Sequence, residues 1–402
     1  MSSPYQEFPT DRQRELVAKI TELGPVFAER ASIYDRQATF PHENFADLRD
    51  IGFLGVCIPE EHGGHGADFA TYALISEELG RYCGSTALTF NMHTATTLLT
   101  GPIADALDFS DAEREVHDQR RIAMYRGIVD DGQIHAQPFS EGISTGATTG
   151  IATTAEPVEG GFRINGRKIF ASLAGAAHRH NAICVTPGDP AVRFISIDAE
   201  AEGVVIEGDW DPLGMRGTVS RDLVFTDVFV PEDAEILPPG GFDQAAARFP
   251  YFYMTLSFAF VGVIRGVLDF TQSYLRGEQG PSSRREVAQK QAGWAEMQLQ
   301  YERTRNLLYA VMRDAAIDPS PEQLRRAWAS VVTTMNTAPE VASLAIRVCG
   351  GRSLLKTYPL ERMYRDARCG ATMLPWGVEV LLGRLGRYGI FDEVDGKYHE
   401  GA

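Results

Sequence analysis

From Thr10 to about Ala123 apolar residues recur every three or four positions, as in QRELVAKITELGPVFAERA, FADLRDIGFLGV and FATYALISEELGRYCG. That spacing puts them on one face of an α-helix. IPEEHGGHGAD interrupts the period: Pro59 and the glycines at 63, 64 and 66 oppose helix, and Asp68 is placed to cap the next helix by accepting from its free N–H groups. Between about His135 and Pro231 the pattern changes to short β-branched runs: GIATTAEPV, GFRINGRKIFAS, NAICVTP, VRFISIDA, GVVIEG and DLVFTDVFVP. Glu159-Gly160-Gly161 and Asn165-Gly166 read as the turns of antiparallel strands. After PPGGFDQ the helical period returns in three long stretches, YMTLSFAFVGVIRGVLDFTQSYLRGE, RREVAQKQAGWAEMQLQYERTRNLLYAVMRDAA and SPEQLRRAWASVVTTMNTAPEVASLAIRVCG, whose stripes suit a four-helix bundle. The pattern predicts an α+β chain: an N-terminal helical domain (1–132), a central antiparallel β-barrel or sandwich (133–238) and a C-terminal four-helix bundle (239–402).

With 402 residues, 44% hydrophobic and 23% charged, the chain has enough apolar side chain for a large core. Its net charge of −16 argues against a general nucleic-acid or anionic-membrane surface, since both need a basic footprint. The start, MSSPYQEFPTDRQRELVAKITELG, lacks the basic and apolar regions of a signal peptide, and no run of about 20 uncharged apolar residues stands out. A cytoplasmic location with no membrane partner is the expectation. The five cysteines (Cys57, Cys83, Cys184, Cys349, Cys369) stand singly in apolar contexts without CxxC spacing, which predicts buried free thiols and neither disulfides nor a metal site.

Several segments then fall in one order: IPEEHGGHG, FSEGISTG, INGRKIFAS, PLGMRGTVSRDLVFTDVFVP and CGGRSLLKTYPLERMYRDAR. Together they resemble the acyl-CoA dehydrogenase family over nearly the whole chain. The resemblance implies a non-covalent FAD between the strands and the C-terminal helices, an acyl-CoA or other acyl thioester as substrate, and an electron acceptor such as electron-transfer flavoprotein. It also implies a homodimer or homotetramer, or a heterotetramer. Phe139 and Ser140, with Phe170 and Ser172, fall where the family stacks an aromatic on the flavin and hydrogen-bonds its edge. Hydroxyls suit that edge because they donate or accept as the flavin changes redox state. Gly350 and Gly351 fall where a neighbour's dinucleotide approaches bare backbone, unless they simply cap a helix. Trp376 falls by the flavin face, and Arg216 where a loop packs near flavin and thioester.

The same resemblance exposes a gap. In the register set by Arg365-Asp366, the position that carries the family's base is Leu374. The alternative base, on the first helix of the C-terminal bundle, meets Tyr251, Phe252 and Tyr253, and Tyr253 stands where many members hold an Arg for CoA. The Arg that reaches a neighbour's FAD phosphates aligns with Gly277, leaving Arg276 or Arg284 to replace it. Glu141 fits a structural position and Glu379 a helix beyond the site. His93, in LTFNMHTA, remains the candidate base, since imidazole accepts a proton at neutral pH. The readings are an acyl thioester dehydrogenase with a relocated base, a flavin-dependent monooxygenase of the same fold, or a non-catalytic subunit.

Overall fold

The computed structural model describes residues 8–142, 150–279 and 283–391. The N-terminal helices are α1 (Asp11–Gln37), α2 (His42–Asp50), α3 (Phe69–Tyr82), α4 (Gly84–Leu98) and α5 (Asp111–Val129). α1 opens on a reciprocal cap, in which the Thr10 hydroxyl accepts the Gln13 N–H and the Gln13 amide oxygen accepts the Thr10 N–H. Asp68 caps α3 as expected, accepting the Thr71 N–H at 2.8 Å.

Eight strands follow: β1 (His135–Ala136), β2 (Thr154–Val158), β3 (Gly161–Ala171), β4 (Arg179–Thr186), β5 (Asp189–Asp198), β6 (Val204–Glu207), β7 (Arg221–Pro231) and β8 (Glu235–Leu237). They form one sheet in the order β6-β7-β3-β2-β4-β5-β8, with β1 paired to β4. Two expectations are corrected here. The sheet is mixed, because β1 and β2 each pair with β4 in parallel, and its ends β6 and β8 are not joined among the described residues, so no closed antiparallel barrel forms. Asn165-Gly166 is not a turn but part of a bulge within β3, where a Cβ on Gly166 would lie 2.5 Å from Thr153 Oγ1.

The C-terminal part consists of α6 (Gly241–Arg248), α7 (Thr255–Arg276), α8 (Ala288–Arg313), α9 (Pro321–Cys349), α10 (Leu360–Cys369) and α11 (Val378–Phe391). α9 touches α7, α8, α10 and α11, so the packing has a central helix rather than the four equal members of a simple bundle. One apolar core runs from Leu16 to Leu381 and so joins the N- and C-terminal helices, while a second, smaller core that includes Ala155, Phe162, Ile195 and Phe225 lies within the strands. The segment Pro250–Arg276 is long and apolar enough by composition to cross a bilayer, which the reading above had not noted. Its apolar window is 83% buried within the protein, and this packing accounts for its composition.

α3 and α7 meet backbone to backbone. A Cβ on Gly80 would lie 2.1 Å from Ala259 O, one on Gly262 2.1 Å from Glu77 O, and one on Gly266 2.3 Å from Arg81 O. Beside this contact the buried Glu77 carboxylate accepts from Tyr301 Oη (2.8 Å), Tyr309 Oη (2.5 Å) and Arg305 Nε (2.9 Å), tying α8 to α3. Since no side chain can fit between these helices, Gly262→Ala should push them apart and cost about 3 kcal/mol, the upper end for overpacking. Urea unfolding should show this as a lower midpoint at unchanged slope, and a midpoint equal to the parent's would refute the close contact.

Candidate active site

Two of the motifs are brought together by main-chain pairing. The Ile169 N–H donates to Ser140 O (2.7 Å), which sets the Phe139-Ser140 segment beside the end of β3. The next residue along each segment is tied by charge: Lys168 Nζ donates to Glu141 Oε1 and to Ile183 O (2.7 Å), with both side chains buried. Glu141 also accepts the Thr153 hydroxyl (2.7 Å) and the main-chain N–H groups of Ala152 and Thr153. Burial pushes the Glu141 carboxyl up, but the Lys168 ammonium and these donors outweigh it and hold it below the usual carboxylate range. Residues 143–149, which include the end of FSEGISTG, lie outside the described residues.

Phe170 adopts φ +50° and leaves its ring 67% exposed, with Trp210 edge-on at 6.4 Å. A left-handed backbone and an uncovered large aromatic are both unfavourable alone, and a planar ligand covering the ring would offset the second. Close by in sequence, Ser172 Oγ lies 2.8 Å from Ser220 Oγ, which lies 2.8 Å from Thr218 Oγ1. Ser140 Oγ makes no hydrogen bond among the described residues. An open ring flanked by hydroxyls fits an isoalloxazine, so Phe170, Ser172 and Ser140 are the residues that would hold it. Phe139 does not share that openness: its ring packs edge-on against Phe242 (5.3 Å) and Phe194 (6.2 Å).

A run of rings comes from Pro250–Met254, a 3-10 turn before α7, and from the loop after α10. Rings run across it in sequence of contact: Phe139 to Phe242 (5.3 Å), Phe242 to Phe252 (6.1 Å), Phe252 to Tyr253 (4.0 Å) and Tyr253 to Trp376 (6.0 Å). Leu374 is 47% exposed at the position expected for a base, and Trp376 is buried. Asp243 on α6 is a carboxylate near enough to act on Tyr253, and its Oδ2 accepts the Val192 N–H (3.0 Å). Glu379 instead lines a polar groove of about 860 Å³ with Glu296, Arg347 and Arg368.

His93 and Arg216 are not where the sequence reading put them. The His93 Nδ1 accepts the His135 N–H (3.0 Å) and its Nε2 faces Leu54 O (2.9 Å), so the ring is a neutral tautomer with no lone pair left for a substrate proton. Burial holds its pKa at about 4. Arg216 turns its guanidinium onto Asp35 O (2.7 Å), Pro212 O (3.0 Å) and Asp211, closing its own loop rather than facing a ligand. The same loop donates the Met215 N–H to the buried Asp366 (2.6 Å), while the Leu173 N–H, beside Ser172, donates to Thr218 O (3.0 Å). It is therefore a strut between the Phe170 side and the helix that leads to Leu374. Gly350, at φ +89°, and Gly351, which has no atom within 4 Å of a built Cβ, leave an open corner with Arg284 Nη1 on Cys349 O (3.3 Å).

Sequence reasoning passed over Lys168, Thr218 and Ser220. For Lys168 a signal existed, a lone ammonium at an inward strand position, which demands a buried partner. Nothing in a single hydroxyl residue marks Ser220 before the loop is folded.

Helices flanking a mixed sheet, with an open aromatic and hydroxyls at a strand end, suit a flavin, and the comparisons place the chain in a family of flavin oxidoreductases. Family models described as acyl-CoA dehydrogenase N-terminal, middle and C-terminal domains match residues 10–106, 139–228 and 240–374. The chain belongs to the acyl-CoA dehydrogenase family, whose members bind FAD. It is 26% identical over 377 residues to the short-chain specific acyl-CoA dehydrogenase of Clostridium acetobutylicum, covering 90% of this chain and 94% of that one. Among solved structures it is similar to KijD3 bound to FMN and a dTDP-amino-keto sugar, with a TM-score of 0.84, 23% identity, and 98% and 97% of the two chains covered. FMN-bound TdsC from Paenibacillus sp. A11-2 gives a TM-score of 0.83 at 21% identity, over 96% and 100% of the chains.

His93, His135 and His180 form a buried group on α4, β1 and β4, and burial holds their imidazoles at about 4, about 3 and about 4, all below the ordinary 6.5. A depressed folded pKa means the stabilising neutral form is fully present above 6.5 and is lost as pH falls through 6.5 toward those values. Between pH 6.5 and 5 each of the three should cost about 2 kcal/mol of stability. Urea midpoints measured from pH 7 to 5 should fall, with His93→Gln lessening the slope by one proton. Midpoints that stay level over that range would contradict the buried neutral assignment.

Proposed function

We propose that this chain is a flavin-dependent monooxygenase on an acyl-CoA dehydrogenase scaffold, and not a dehydrogenase with its base moved to His93. The observation that carries the reading is the composition of the wall: Leu374 stands at the base position, Tyr251, Phe252 and Tyr253 stand at the alternative one, and His93 has both ring nitrogens engaged. Removing a proton α to a thioester needs an acceptor within hydrogen-bond reach, and leucine and neutral phenols are not acceptors of that strength. Two solved neighbours also favour it, TdsC being described as a dibenzothiophene monooxygenase and the Micromonospora carbonacea protein as a nitrososynthase.

Bound and reduced, the flavin would supply two electrons to dioxygen, one oxygen atom going to substrate and the other leaving as water. Phe170 would offer an aromatic face to the ring, and the Ser172 hydroxyl, oriented by Ser220 and Thr218, would be able to donate or accept at its edge. Leu374 and the aromatic wall would offer the substrate apolar surface and no base. A reductase that delivers reduced flavin takes the place of electron-transfer flavoprotein under this reading. The open Gly350-Gly351 corner with Arg284 is the surface on which a second copy would close the cofactor site in a homodimer or homotetramer.

Anaerobic mixing of the flavin-loaded protein with butyryl-CoA should leave the flavin oxidised, whereas the chemically reduced protein should be reoxidised by dioxygen. Leu374→Glu should restore a base and raise anaerobic flavin reduction by butyryl-CoA about 10²–10⁴-fold. Rapid bleaching of the parent protein by the thioester would return the assignment to a dehydrogenase.

A further inference from the structure

Two arginines far apart in sequence end on one residue near the C-terminus of α1. Arg365, on α10, grips the Asp35 carboxylate at both oxygens, Nη1 to Oδ1 at 2.9 Å and Nη2 to Oδ2 at 2.6 Å, and its Nη1 also donates to Leu213 O (3.0 Å). Arg216, at the start of the turn Arg216–Thr218, donates Nε to the Asp35 main-chain oxygen (2.7 Å). That oxygen is among the last four carbonyls of α1, which helix geometry leaves without a partner, so the contact caps the helix and holds the loop together. Asp35 is 8% exposed, and a forked contact of this kind fixes direction as well as distance. Glycines let the loop lie directly on its supports: a Cβ on Gly214 would run into the Arg365 carbonyl, and one on Gly217 would lie 3.4 Å from Tyr34 Cβ.

Other buried carboxylates join helices too, as Glu77 joins α3 to α8. Asp35 differs in what its two arms reach. Arg216 stands two residues before Thr218, whose hydroxyl meets Ser220, which in turn meets Ser172. The main chain runs the same way, since Thr218 O accepts the Leu173 N–H (3.0 Å) and Val219 O accepts the Ala174 N–H (3.2 Å). Of the seven non-glycine residues with a left-handed backbone among the described residues, Phe170, Leu173, Met215 and Val219 lie on these two segments. Strain of that kind persists only where the surroundings over-determine it. We infer that Asp35 is a positioning residue for the flavin edge: it clamps the loop through Arg216 and Arg365, and so sets where the Thr218 and Ser220 hydroxyls hold the Ser172 hydroxyl. The inference rests on the flavin lying against Phe170 and Ser172, and it holds whichever reaction the flavin serves.

The test is FAD binding by the flavin-free protein in the parent, in Asp35→Asn and in Arg365→Lys, each with and without Ser172→Ala. Asn keeps the shape and the main-chain oxygen but loses the charge, whereas Lys keeps the charge and loses the fork. Either change should weaken FAD binding about tenfold, the worth of one well-placed hydrogen bond, and by less than about twofold once the Ser172 hydroxyl is gone. Glu77→Gln supplies the contrast for a loss that is merely structural: it should lower the urea midpoint and leave FAD binding within about twofold of the parent. In the flavin-free protein the Leu173 amide should exchange with D2O about tenfold faster in Asp35→Asn than in the parent. Parent-like affinity in both variants, an equal loss with Ser172→Ala present, an equal loss in Glu77→Gln, or parent-like exchange at Leu173 would each overturn the inference. A parent protein that bound no FAD would overturn it together with the flavin placement, whereas exchange at Leu173 tests the clamp alone.

Discussion

Lys168 and Glu141 form the contact on which the rest of the site depends. An ammonium and a carboxylate without water are tolerable only when each spends its remaining hydrogen-bonding capacity nearby, and here Ile183 O, Thr153 and the Ala152 N–H take it up. The pair therefore specifies geometry more than it adds stability. It fixes the residue after Ser140 to the residue two before Phe170, so an open aromatic and a free hydroxyl come from segments about 30 positions apart and still meet.

The second constraint joins that edge to the opposite wall. The loop around Met215 is fastened at one end to Leu173 through Thr218, and at the other to Asp366, which Arg362 also reaches at 3.2 Å. Arg365 adds a two-pronged contact to Asp35 at 2.9 and 2.6 Å, bringing α1 into the same joint. The Arg-Asp pair that marks the family in sequence is thus structural, and it sets the distance between the Phe170 edge and the Leu374 loop. A scaffold with these ties can lose its carboxylate base without losing its shape, since the base contributes nothing to them. That separation explains how one fold serves both acyl-CoA dehydrogenation and oxygen chemistry in related proteins.

The helical and strand periods and the Asp68 cap were legible in the sequence because each follows from local preference or from register within one element. What was not legible depends on partners from elsewhere. His93 has the chemistry of a base, and its fate was decided by Leu54 O and the His135 N–H, which no spacing reveals. Arg216 was similarly claimed by Asp35 O from α1. The Asn165-Gly166 pair has the chemistry of a hairpin turn, yet the long strand pairing with β7 continued through it and left a bulge. Strands β1 and β8, two and three residues long, carry too short a pattern to be seen, and it is the parallel pairing of β1 and β2 with β4 that makes the sheet mixed.

The central claim is that no group on this wall removes a proton from the α-carbon of a thioester, and hydrogen exchange at that carbon tests it without reference to what the flavin does next. Butyryl-CoA incubated with the oxidised holoprotein in D2O, followed by NMR, should take up deuterium at the α-carbon no faster than in buffer alone. Exchange catalysed by the parent protein would contradict the account, and its loss in Asp243→Asn would identify the base that had been overlooked.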